Sequence, residues 1–334
     1  MPGWNDVFSE IRAAGSTYDI VRRQHLAKVS EVTGRNTIAY YSGWLQKAAL
    51  LRGQQTVFSI NDNDKNGFMA TIHGMDRSKG LDIIMHTPGG EIGAAESLVE
   101  YLKSMFGNNI RAIVPQIAMS AGTMIACACN EIIMGRHSNL GPIDPQVAGL
   151  PAHGVIEEFL QAQKEIAANP TVGIPIWQPI IAKYSPTLVG ECHKAIVWSE
   201  EMVKKWLTTG MFDGDSDAST KAANVVDQLG SHEFTKSHNR HVSAELADSL
   251  GLRVTPLEED EKLQDAILTV HHSYIQTLAM TGAMKIIENQ LGVAFIQTVQ
   301  ALGTAVVPWP GGSIAEFGDG ATIFRPGQVA PFMG

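Results

Sequence analysis

Cysteine is scarce, with three in 334 residues. Cys127 and Cys129 stand two apart on a small-residue helix, a spacing that turns the thiols to different faces. With Cys192 alone beside them, no even disulfide framework forms and no cysteine zinc site has its ligands, so the three read as packing residues. His271 and His272 are adjacent and face apart on a helix, a poor chelate, and no metal is expected. Basic runs are also missing. A formal net charge of -9 with no concentrated basic face sets nucleic acid aside as a partner. No apolar stretch reaches the roughly twenty uninterrupted residues that span a bilayer, so no transmembrane segment is expected. Met1-Pro-Gly-Trp-Asn-Asp6 carries neither a basic n-region nor an apolar core, which leads to the expectation of a cytoplasmic protein. There is no Gly-x-Gly-x-x-Gly fingerprint and no Walker motif, hence no implied cofactor and no built-in motor. Repeats and low-complexity tracts are absent.

What the chain does have is glycine in telling places. Leu81-Asp-Ile-Ile-Met-His86 is an apolar run of strand type, stopped by Thr87-Pro88-Gly89-Gly90 because proline and paired glycines do not extend a central strand. From Glu91 to Phe106 the residues Ile92, Ala95, Leu98, Val99, Leu102 and Phe106 recur at helical spacing. Ile110–Pro115 is the next predicted strand, and Ala118 to Cys129 a small-residue helix that begins at or beside Ser120. Glu131–Gly135 follows as a third strand. A serine at a helix N-terminus most often caps it. In this series of strand, glycine turn, helix, strand and serine turn, two backbone-rich turns meet at the carboxyl edge of a parallel sheet. One turn there supplies N–H donors and the other a nucleophile whose attack generates an oxyanion.

This order resembles the clan of the Clp proteases and signal peptide peptidase A, whose members share a crotonase-like β-α spiral. Over most of its length the chain is similar to the serine dehydrogenase proteinase family, on Tyr40-Tyr41-Ser42, His86-Thr-Pro-Gly-Gly90, Ser120-Ala-Gly-Thr123 and Gly141-Pro-Ile-Asp-Pro-Gln146. The resemblance implies an α/β fold, a crotonase/Clp-like β-α spiral with a helical insertion and a helical C-terminal extension. It implies a serine peptidase that forms an acyl-enzyme on Ser120, with the N–H groups of Gly90 and Ala121 as oxyanion donors. The Clp histidine falls on Asp144 and the Clp aspartate on Asn239, next to His238. A rearranged set of Ser120, His238 and Asp144 is therefore preferred. Its rival is a Ser-Lys dyad as in signal peptide peptidase A, with Lys164 or Lys183 as the base by order along the chain. The implied partners are a peptide or unfolded-protein substrate and further copies of the chain in a homo-oligomer; an ATPase or a membrane-bound partner is compatible. A second class stays open, a crotonase-like acyl-thioester-binding protein or an inactive oligomeric scaffold. Thioester chemistry needs the donors but no nucleophilic serine, so the placement of Ser120 favours the peptidase.

Around the core, residues 1–80 are expected as an N-terminal region, 81–255 as the catalytic core with its helical insertion at about 150–235, and 256–334 as the extension and tail. A helix is predicted over Tyr18–Val32, a strand over Asn36–Tyr41, and a further helix over Gly67–Met75. The Asx-rich turn Asp62–Lys65 lacks the later glutamate of a calcium loop. In the insertion, a helix over Val155–Ala168 is expected to break at Ile174–Pro179, and another to cover Ser199–Leu207. Residues 258–301 read as two helices, the first with a stripe of Leu263, Ile267, Val270, Tyr274, Ile275 and Leu278 that serves a core or an oligomer interface. The tail from Pro308 reads as an extended or partly mobile arm.

Overall fold

Apolar runs with no polar alternation belong in strands covered on both faces, and parallel strands need helical crossovers to connect them. Both hold here. The structure, a computed structural model, describes residues 18–50, 56–230 and 237–299, positions 7 and 10, and the backbone of 314–317 and 321–324. Strands β1 (Asn36–Ser42), β2 (Leu81–His86) and β3 (Ile110–Val114) run parallel, as does β5 (Glu131–Met134), while β4 (Ile117–Ala118) forms a small separate ladder with β6 (Asn139–Leu140) and β9 (Val242–Ser243). A short hairpin pairs β7 (Gln146–Val147) with β8 (Leu150–Pro151). The main sheet is completed by β10 (Val254–Pro256) at one edge and, at the other, by β11 (Ala283–Asn289), β12 (Ala294–Thr298), β13 (Ile314–Phe317) and β14 (Ala321–Phe324), in the order β10-β5-β3-β2-β1-β11-β12-β14-β13. β1 therefore sits between the parallel core and the antiparallel C-terminal strands.

Alternate residues of each central strand feed two cores. Tyr40, Ile83, Met85, Ala112 and Val114 pack toward the crossover helices Asn63–Ile72, Ile92–Phe106 and Ala121–Ala128. Tyr41, Ile84, Ile113 and Ile133 pack against residues of Tyr18–Thr33 and Glu261–Met280. The result is a mixed α/β fold with a helical C-terminal extension, consistent with the crotonase/Clp-like expectation.

Three local expectations need correction. The turn read over Asp62–Lys65 opens the helix Asn63–Ile72, which starts four residues before Gly67 and ends before Met75. Pro170–Ile181 is a helix rather than a break, although it contains Pro175 and Pro179. The Asn169 side chain accepts from Val172 N, Pro170 stands where its missing N–H costs nothing, and both inner prolines are exposed, so water can reach the carbonyls they leave unbonded. The helix also carries Val172, Ile174 and Ile176 on the surface. The second helix expected before residue 301 is instead the β11–β12 hairpin. Two charges on it, Lys285 and Glu288, are fully buried, Glu288 against Arg22 at 2.6 Å and Lys285 against Asp64 at 2.7 Å. Of the tail, only the backbone of β13 and β14 is described, and Pro310-Gly-Gly312 lies outside the described residues.

His86, the last residue of β2, turns to the second core. Its ring lies 4.5 Å from that of Trp44 and 5.5 Å from those of Tyr41 and His271. Neither ring nitrogen has a hydrogen-bond partner among the described residues, and burial pushes the imidazole down to about 3. His271, which meets the Tyr41 hydroxyl at 3.3 Å, is also held well below the ordinary range, by burial first and then by His86, His272 and His137. An unfolded histidine takes up its proton near pH 6.5. The folded state resists that proton, so this stability is present above about pH 6.5 and is lost as the pH falls toward 3. In urea unfolding at pH 7 and pH 5, His86→Phe should lose about 2 kcal/mol less between the two pH values than the wild type loses. Equal losses would mean that His86 is not held neutral.

Candidate active site

Two turns meet above the ends of β2 and β4. Thr87 N donates to Ile117 O at 3.2 Å and Met119 N to Thr87 O at 3.1 Å, which pins the glycine turn to the serine turn. Gly89 has φ +94°, and a Cβ there would lie 2.6 Å from both Met119 O and Ser120 Cβ. Only glycine fits. Gly90 is closed from the other side: Ile60 N donates to Gly89 O at 2.8 Å, Glu91 N donates to Ile60 O at 2.9 Å, and a Cβ on Gly90 would lie 2.2 Å from Ile60 O. Among the described residues, neither the Gly90 N–H nor the Ala121 N–H donates to another backbone group.

Ser120 precedes the helix Ala121–Ala128 but makes no capping bond with its side chain, so the capping role does not account for it. Its backbone is strained, at φ 52° and ψ -119°. Such a turn lifts a side chain clear of the strand and helix it joins. Behind it, the Thr123 hydroxyl donates to Ala118 O at 2.8 Å and accepts from Gly141 N at 2.9 Å, tying the serine turn to the Gly141–Gln146 segment. That segment is held to the helical insertion by Ile143 N donating to Leu229 O at 3.0 Å and is continued by Ala152 N donating to Pro145 O at 2.9 Å.

Asp144 on this segment is fully buried, and its Oδ1 lies 2.8 Å from His238 Nδ1. The contact suits a tautomer in which Nδ1–H donates to Asp144 and Nε2 is left to accept. His238, Ser120 and Gly90 all line one cleft of about 680 Å³, together with Met124, Gln146 and Trp198. Asn239, where the Clp acid falls, is exposed. Lys164 and Lys183 are exposed on the helical insertion and are not among the residues lining the cleft.

Some cleft residues had no legible signal. Trp198 comes from the helix Leu188–Thr209, where its indole N–H donates to Glu96 Oε2 at 3.2 Å, and nothing in a long amphipathic helix marks one tryptophan as a cleft wall. Ser59 joins through the Ile60–Gly90 pairing, a contact between segments about thirty residues apart.

Residues 17–265 match the family model of the ClpP-like SDH-type serine proteinases. The chain belongs to that family. Membership of the ClpP-like SDH-type serine proteinases supports a serine-protease-like hydrolytic function. An uncharacterized protein of Methanocaldococcus jannaschii is 28% identical over 226 residues, 68% of this chain and 69% of the relative. A second uncharacterized protein of the same organism is 27% identical over 209 residues, 63% of each chain, so the match spans a little under two thirds of that relative's length. No solved structure matches the chain.

The strain at Ser120 gives a stability test separate from chemistry. Glycine tolerates φ 52° and ψ -119° whereas alanine does not. Ser120→Gly should be more stable to urea than Ser120→Ala by about 1 kcal/mol, after allowing for the greater entropy of an unfolded glycine. A Ser120→Gly variant less stable than Ser120→Ala would show that the turn is unstrained.

Proposed function

We propose that the protein is a serine peptidase that cleaves peptide bonds through an acyl-enzyme on Ser120. The observation that carries this reading is the His238–Asp144 contact at 2.8 Å, opening on the same cleft as Ser120 and the Gly90 turn. Ser120 Oγ adds to the scissile carbonyl carbon while His238 Nε2 takes the hydroxyl proton. The carbonyl π pair moves onto oxygen, and the oxyanion accepts from the N–H groups of Gly90 and Ala121. Collapse of the tetrahedral adduct expels the amine, which takes the proton from His238 and leaves the acyl group on Ser120. Water then adds to the acyl carbon with His238 again as base, releasing the acid and restoring the serine. Asp144 fixes the ring and offsets the charge of the imidazolium that forms twice in the cycle.

The Gly90 turn is bonded to Ile60 and His238 to Asp144, which supports this reading, because donors already aimed at the developing charge lower the barrier without reorganising. An acyl-thioester-binding role would use Gly90 and Ala121 but leaves the strained Ser120 and the buried acid behind His238 without a task. A Ser-Lys dyad on Lys164 or Lys183 finds no support, since both side chains are exposed on the insertion.

Steady-state hydrolysis of a fluorogenic peptide mixture tests the assignment. Ser120→Ala should lose at least about a thousandfold in kcat/KM, and His238→Ala nearly as much. Lys164→Ala and Lys183→Ala should stay within about threefold, the scale of a distant surface change. An active His238→Ala beside a dead lysine variant would replace the histidine with the Ser-Lys scheme.

A further inference from the structure

One buried cluster next to the cleft has no part in the chemistry above. Lys285 on β11 is fully buried, and its ammonium donates to Asp64 Oδ1 at 2.7 Å, Asp64 Oδ2 at 3.0 Å and the Ser59 carbonyl at 2.7 Å. Asp64 in turn accepts from the Tyr40 hydroxyl at 2.7 Å and from Asn61 N at 3.1 Å. The pair thus grips the backbone on both sides of Ile60. Ile60 itself is the residue that clamps the glycine turn, through Gly89 O at 2.8 Å and Glu91 N at 2.9 Å. A continuous path of short bonds runs from Lys285 and Asp64 to the peptide unit that carries the Gly90 N–H.

Burial pushes the Lys285 ammonium below the ordinary lysine range, and Asp64 opposes that shift. Replacing a buried ion pair by apolar groups of similar size often leaves stability unchanged, so the pair is poorly explained as a stabiliser, whereas its fixed geometry suits holding a backbone segment in register. Lys285 also lies beyond residue 265, where the family match ends. The antiparallel extension contributes this group.

We infer that Lys285 and Asp64 are a positioning pair that aims the Gly90 N–H at the oxyanion, acting through Ser59, Ile60 and Asn61. The inference rests on the reading of Gly90 as an oxyanion donor. A donor displaced by a fraction of an ångström still lets substrate bind but no longer meets the developing charge, so the loss falls on the transition state.

The test is the double variant Lys285→Met/Asp64→Leu, which removes both charges together and leaves no buried ion unpaired. Its kcat should fall at least about tenfold with KM within about twofold, and the inhibition constant of a peptide aldehyde, whose adduct with serine mimics the tetrahedral intermediate, should rise in proportion. Hydrogen exchange read by mass spectrometry should show the Glu91 amide, protected by Ile60 O in the wild type, exchanging at least about tenfold faster. A folded double variant with kcat, aldehyde inhibition and Glu91 exchange all within twofold of wild type overturns the inference. If the double variant does not fold, Tyr40→Phe removes one bond to Asp64 while keeping the ring; a two- to threefold fall in kcat with matching aldehyde inhibition is then expected, and unchanged values overturn it. A wild type that neither hydrolyses peptides nor binds the aldehyde defeats the Ser120 reading, and exchange at Glu91 still decides whether the pair holds the turn.

Discussion

Gly89 and Ser120 occupy adjoining turns with no room for a side chain between them, since a Cβ on Gly89 would stand 2.6 Å from Ser120 Cβ. That contact fixes how far the Gly90 N–H lies from the serine. Everything else in the cleft is arranged around it: Thr87 and Met119 lock the two turns by backbone bonds, Thr123 links the serine turn to the segment of Asp144, and Asp144 holds His238. A parallel sheet makes the arrangement accessible because successive strands deliver their turns to the same edge. The glycine turn follows β2, and the serine turn follows β4 just beyond β3.

Charges are buried throughout the sheet, and each is matched. Asp82 on β2 receives Arg35 at 2.6 Å and Arg111 at 2.7 Å, Glu288 receives Arg22 at 2.6 Å, and Asp64 receives Lys285 at 2.7 Å. An ion pair of this kind adds little net stability but penalises any register that separates its members. These pairs tie β2 to β3 and to the residue that leads into β1, and tie the C-terminal strand β11 to the helices Tyr18–Thr33 and Asn63–Ile72. The floor of the cleft thereby depends on residues far from it in sequence.

Local signals carried the core of the fold. The Pro-Gly-Gly stop after β2, the helical spacing from Ile92 to Phe106 and the small residues after Ser120 were each legible, because a strand end, an amphipathic face and a close helix approach leave composition marks within a few residues. Resemblance supplied the candidate roles of Gly90, Ala121, Asp144 and His238. The failures share a cause. The segment of Lys285 and Glu288 reads as a helix because the partners that bury these charges in a strand, Asp64 and Arg22, lie more than two hundred residues away. Pro175 and Pro179 look like helix breakers unless the helix is known to be exposed, and Trp198 gains its place in the cleft only from the docking of the insertion. Partner choice over long separations is a tertiary fact, and local pattern does not encode it.

An activated nucleophile at Ser120 is open to covalent labelling, which needs no knowledge of the natural substrate. Wild-type protein is incubated with a fluorophosphonate, its intact mass is measured, and the adduct is located by peptide mapping. One adduct per chain is expected, on Ser120, absent from Ser120→Ala and much slowed in His238→Ala. An unmodified wild type, or a Ser120→Ala variant that labels as fast as wild type, would contradict the nucleophilic role of Ser120.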